Sequence, residues 1–164
     1  MPDSIFQYVL LGCLAIALLI AAATDLRSRT ISNALNAAVA AGAPLFWWAS
    51  GLSLWPGVAI QLAVALAAFV VCAGFFALRQ MGGGDVKLLT ATALWIDPLN
   101  FMRLLVVMAI AGGLISAAML IARRFREAKA PAQVPYGVAI AAGGLWVLSR
   151  HYAPALAGNS GLAG

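Results

Sequence analysis

Along the chain, apolar residues gather into six runs at 5–23, 35–50, 57–78, 86–96, 101–122 and 134–148, divided by short polar or Gly/Pro-marked joints. Runs of this kind predict membrane-spanning helices, since about 20 apolar residues of helix cross a bilayer. The pattern therefore predicts an all-α fold, a polytopic membrane protein with six transmembrane helices. One domain covers residues 1–164, with no internal repeat, and the end "APALAGNSGLAG" reads as a loose terminus. The first run does not read as a signal peptide. Its leading "MPDS" has an acidic residue and no Lys or Arg, and the run itself is long enough to span.

Composition agrees with the pattern. Of 164 residues, 64% are hydrophobic and 9% charged, and the mean hydropathy is +0.99. Soluble domains average roughly 45–50% apolar and about 25% charged. The net charge of +5 would suit nucleic acid in a soluble chain, but here basic residues first report topology, and no nucleic-acid partner is expected. With six spans, Arg27, Arg29, Arg79, Lys87, Arg123, Arg124, Arg126 and Lys129 fall on one side, and Arg103 and Arg150 on the other. The positive-inside rule makes the first side cytoplasmic and puts both termini outside. The loop from Arg123 to Lys129 also suits anionic lipid. Trp47, Trp48, Trp55 and Trp95 fall near outer span ends, as an interfacial belt would.

Candidate chemistry is sparse. Cys13 and Cys72 belong to no C-x-x-C pair and read as membrane-buried hydrophobes, while the single His151 reads as interfacial. No metal or cofactor is expected. Of five acidic residues, Asp3 and Asp97 fall outside, and Glu127 sits within "RRFREAK". Asp25 in "AAATDLRSRTISN" and Asp85 in "GGGDVKLL" remain, each where a span meets the cytoplasmic side. Both have a plain structural reading, Asp25 paired with Arg27 or Arg29 and Asp85 capping the fourth helix.

Length favours more for Asp85. From Asp85 to Asp97 is 12 residues, about 18 Å of helix against a hydrocarbon core of about 30 Å. Asp85 would then start below the cytoplasmic surface, with "QMGGG" descending into the membrane region as backbone that must line protein or a wet cavity. Gly82 and Gly84 would let it turn sharply or approach other groups closely. Two carboxylates facing such a cavity suit an aspartic-type hydrolase, since like charges at close range share one proton. No G-x-S-x-G, H-E-x-x-H or P-loop pattern competes. A small transporter or proton-relay subunit, and a non-catalytic assembly partner, remain open on these residues alone.

Three segments carry a resemblance. "GGGDVKLLTA", from Gly82 to Ala91, resembles the G-x-G-D motif of the type IV prepilin peptidases, including Lys87 two residues after the Asp. "DLRSRTISN", from Asp25 to Asn33, resembles the family's first aspartate motif, with Ser32 standing where the family's pattern has Pro. "VPYGVAIAAGG", from Val134 to Gly144, resembles the opening of its last helix. The resemblance implies a G-x-G-D aspartic peptidase bundle with Asp25 and Asp85 as catalytic pair. Gly82, Gly84, Pro135 and Gly137 would support the backbone, and Lys87 would tune the pair, hold substrate or serve topology. For Pro135 and Gly137 a plain helix-start role is the favoured expectation. It further implies cleavage of the basic leader of prepilins at the cytoplasmic face of the bacterial inner membrane. Membrane lipid and other pilus assembly proteins would be further partners. No N-terminal methyltransferase region with paired C-x-x-C motifs is present, so the chain looks like the short, peptidase-only branch serving Flp/Tad-type pili.

Overall fold

In a computed structural model of the protein, residues 4–124 and 135–152 are described, with Ser4, Arg123, Arg124, His151 and Tyr152 described by backbone alone. The segment 125–134, with Glu127, Lys129 and Val134, and the tail 153–164 lie outside the described residues, as does the side chain of His151. The described residues form helices and no strand: α1 (Ser4–Ser28), α2 (Asn33–Ala49), α3 (Ala59–Ala77), α4 (Gly83–Ala93), α5 (Pro98–Arg124) and α6 (Tyr136–Val147). Leu54–Val58 leads into α3, and Leu148–Tyr152 adds one turn after α6.

Three helical stretches are long and apolar enough to cross a membrane: Ile5–Ser28, Leu54–Ala77 and Pro98–Ala122. The helices over the predicted runs 35–50, 86–96 and 134–148 are shorter. Large apolar side chains such as Leu66, Val70 and Leu114 stand open to the surroundings, as a lipid-facing surface requires and a water-facing one rarely allows.

Local sequence explains the helix ends. Ser32 caps α2, its hydroxyl accepting from the Leu35 amide at 3.2 Å, a bond that Pro at this position could not make. Asp97 does the same for α5, accepting from Asn100 N at 3.1 Å, with Pro98 next in line where its missing N–H costs nothing. Arg29 and Arg79 follow α1 and α3 with φ of 55° and 57°. A left-handed residue ends a helix by closing its last carbonyls, here at about 1 kcal/mol for a side chain other than glycine. Neither Gly82, Gly83 nor Gly84 has a positive φ.

The helices form a ring in the order α3, α4, α2, α1, α6, α5, each packed on the next, with α4 also touching α6 across the middle. Between α3 and α5 the ring barely closes. The short α4 is the most enclosed element, with Leu88 and Thr92 wholly buried. At its far end, the Trp47 indole donates to the Leu94 carbonyl at 2.7 Å, and Gln61 donates to Ile96 O at 2.7 Å. A helix that ends in the buried core leaves such carbonyls without water, so side chains must serve them.

One expectation needs correction here. Trp95 is 3% exposed, stacked on Phe46 with ring centroids 5.3 Å apart, and its indole donates to Val39 O. It belongs to the core, whereas Trp48 and Trp55 are exposed as a belt would be. Cys72 is buried in the core, and Cys13 is exposed on α1 inside a stretch long and apolar enough to cross a membrane.

Candidate active site

Asp25 stands in the last turn of α1 and Asp85 in the first turn of α4; both are buried, at 5% and 8% exposure. Such burial is expensive for carboxylates unless their surroundings are built for them. The surroundings of Asp25 come from α6. The Gly137 amide at the start of α6 donates to Asp25 Oδ2 at 2.9 Å, and the Val138 amide also bears on the carboxylate. A Cβ on residue 137 would lie 2.9 Å from Asp25 Cβ and from Oδ2, so only glycine permits this approach. Gly137 thus does more than start a helix, contrary to the expectation from sequence. Pro135 caps α6, and its carbonyl accepts from Val138 N at 3.2 Å.

Asp85 is held by its own helix. Gly82, the N-cap of α4, presents its N–H to the carboxylate, and a Cβ there would lie 2.9 Å from Oδ2. Gly83 and Gly84 are helical, so the stretch "QMGGG" does not descend as irregular backbone; α4 itself begins at Gly83. Asp85 Oδ1 is buried with no hydrogen-bond partner. Asp85 lies outside the three helices long enough to cross and one residue ahead of the apolar run 86–96. Burial, and secondarily repulsion by Asp25, raise its pKa from the ordinary carboxylate range to about 6. The two carboxylates therefore feel each other.

Ile31 packs against both backbone units. A Cβ on Gly84 would meet Ile31 Cβ at 3.2 Å and its carbonyl at 3.3 Å; one on Gly137 would meet Ile31 Cδ1 at 3.0 Å. The same buried isoleucine is wedged between the helix that carries Asp85 and the helix that holds Asp25. Asn36 adds a tie, its amide donating to the Gly84 carbonyl at 3.3 Å while its own Oδ1 stays buried without a partner. Neither residue was singled out from the sequence. An amide inside the apolar run 35–50 was the available signal for Asn36.

Lys87 is exposed and donates to Asn33 Oδ1 at 2.8 Å. It links the end of the first aspartate segment to α4 and makes no contact with either carboxylate. The arrangement as a whole is two buried carboxylates from different helices, three backbone N–H groups turned toward them, and an unpartnered carboxylate oxygen. It can hold and transfer one proton across a polar group placed between the two acids.

No curated protein and no solved structure is similar enough to match the chain. The model of the type IV leader peptidase family matches residues 12–121, which include both aspartates. With that match over more than half its length, this helical membrane protein belongs to the type IV leader peptidase family.

Proposed function

We propose that the protein is a prepilin leader peptidase in which Asp25 and Asp85 activate water between them. It works as an aspartic endopeptidase of the inner membrane and cleaves the basic leader of Flp-type prepilins at the cytoplasmic face. The observation that carries the reading is the paired burial of two carboxylates, one of them with a free oxygen, inside a chain of this family.

Asp85, with its raised pKa, carries the shared proton; Asp25 is the base. Asp25 takes a proton from water as the oxygen attacks the scissile carbonyl carbon, and Asp85 gives its proton to the carbonyl oxygen. The tetrahedral diol then collapses: Asp25 returns a proton to the departing amine, and Asp85 regains its own from the hydroxyl. Protons balance and the pair ends as it began. Gly137 N–H keeps Asp25 oriented through both steps.

The test is processing of a co-expressed prepilin by Asp25→Asn and Asp85→Asn variants, beside a blot of each variant. Acid and base act as one unit, so each change should leave less than about a tenth of the activity at equal expression. A variant that retains more would remove its residue from the reaction.

A further inference from the structure

Two buried amides bear on α4, one near each end. At the far end Gln61 donates to Ile96 O at 2.7 Å, and among the described residues it leaves no buried side-chain atom without a partner. At the near end Asn36 donates to the Gly84 carbonyl over a longer 3.3 Å, and its own Oδ1 is buried without a partner. Asn36 is 4% exposed and stands among the apolar residues of α2. It does not cap its own helix, because Ser32 does so by accepting from Leu35 N. Turning the amide over would set oxygen against oxygen at Gly84, so the orphaned atom gains nothing that way.

Such a group is a poor stabiliser. A long hydrogen bond contributes little, while a buried acceptor with no donor keeps its full desolvation cost. The two carbonyls also differ in need. Ile96 O lies beyond the end of α4, whereas Gly84 O lies inside the helix, where the backbone ladder already supplies a donor. Gln61 therefore answers a structural demand, and Asn36 does not.

What distinguishes the Gly84 carbonyl is its place in the peptide bond that leads into Asp85. The three residues ahead of Asp85 are glycines, which restrain that peptide least. Ile31 restrains it from outside by contact and Asn36 by its hydrogen bond. Both belong to the stretch of chain that follows Asp25, Asn36 eleven residues on. Resting on the peptidase reading, we propose that Asn36 is a positioning residue for the cleavage reaction: it fixes the Gly84–Asp85 peptide, and with it the direction in which Asp85 presents its carboxyl group to Asp25. The amide is kept at the expense of stability because aim matters more at this point. A misplacement of about 1 Å lowers turnover by up to about a hundredfold.

Replacement by leucine, which is close to asparagine in shape, separates placement from stability. Asn36→Leu should lower kcat for a type IV prepilin precursor by about ten- to a hundredfold, with KM within about twofold of the parent. Its melting temperature in detergent should be no lower than the parent's, since the orphaned oxygen is gone. Gln61→Leu is the contrast, and should lose stability and processing together. Asn36→Ala guards against a leucine that fits badly, and should show the same loss of kcat at unchanged KM. Parent-like kcat in both Asn36 variants, or a raised KM at unaltered kcat, would overturn the assignment. So would a kcat in Asn36→Leu that falls only in step with melting, as for Gln61→Leu, or the failure of both variants to fold, either of which makes Asn36 a structural residue. All of these spare the peptidase reading. A parent enzyme that cuts none of the prepilin precursors offered overturns both.

Discussion

Gly84 has no side chain because Ile31 occupies the space where one would go, with its Cβ at 3.2 Å and its carbonyl at 3.3 Å from an added Cβ. Gly83 faces only the edge of the Phe76 ring, at 3.4 Å, an ordinary contact distance. Gly84→Val should therefore push α4 off Ile31 and displace Asp85, cutting prepilin processing severely, while Gly83→Ala keeps most of it. Gly82→Val should act to a similar or lesser degree, because its Cβ meets the movable end of Asp85. In-cell processing measured against the amount of peptidase decides this, and normal processing by Gly84→Val would mean that the contact is not needed. From sequence, positive φ and close approach were both available reasons for these glycines; only the second applies, since among the described residues the left-handed ones are Arg29, Gly51 and Arg79. Asp85 makes a prediction of its own. Its pKa rises from 3.8 to about 6 on folding, so the protonated form is the one that the fold favours. Stability is then full below about pH 4, declines as pH rises through 6, and loses roughly 3 kcal/mol in total from this group. Asp85→Asn should melt higher than the parent at pH 7.5 in detergent, with the difference closing near pH 4. Cleavage by the parent should fall as pH rises above about 6, where Asp85 gives up the proton that the reaction needs. Equal melting of parent and variant at both pH values would show that Asp85 is not a costly buried acid.

At the scale of the element, α4 explains why the family motif sits where it does. Eleven residues make about 16 Å of helix, half the thickness of a hydrocarbon core, so α4 is too short to cross one by itself. The arithmetic from Asp85 to Asp97 made this legible in the sequence, because rise per residue is fixed whatever the surroundings. How the far end is satisfied was not legible. Trp47 and Gln61 come from two other helices, and a pairing over 47 or 35 residues of chain leaves no local pattern. Trp95 was misplaced for a related reason: position along a span tells depth, but which way a side chain faces depends on its neighbours. The Gln61 bond is the more telling, since the residue is 6% exposed and its partner is a carbonyl after the helix has ended. Gln61→Leu should leave that carbonyl unserved at a cost of about 1–3 kcal/mol. The expected result is a melting temperature lower by several degrees and a parallel loss of processing as the helix shifts. Unchanged melting would mean that Ile96 O finds another donor.

For the whole molecule, the decisive fact is that three helix ends meet. Asp25 closes α1, Asp85 opens α4 and Gly137 opens α6, so α1 points toward the site and α4 and α6 point away from it. The order of the three motifs was readable in the chain, and their resemblance to one family predicted that they work together. Their contact was not, because Gly137 lies 112 residues from Asp25 and sequence argument favoured a mere helix start. The same end of the ring carries Arg27, Arg29, Arg79 and Lys87, while exposed Trp48 in the last turn of α2 and exposed Trp55 just ahead of α3 lie toward the opposite end. Alternate crossings extended through α5 bring Arg123 and Arg124 back to the basic end. If α2, α4 and α6 cross despite their length, the six described basic residues at that end make it cytoplasmic. A reporter inserted between Lys129 and Pro131 should then read as cytoplasmic, and one fused after Gly164 as periplasmic. The second reading is the sensitive one, because it depends on every crossing being counted. A cytoplasmic signal after Gly164, with the 129–131 reporter still cytoplasmic, would mean an odd number of crossings, with the short α6 the helix that fails to cross. Asp85 would then still face Asp25 at the cytoplasmic end, so the catalytic proposal would survive while the six-span topology would not.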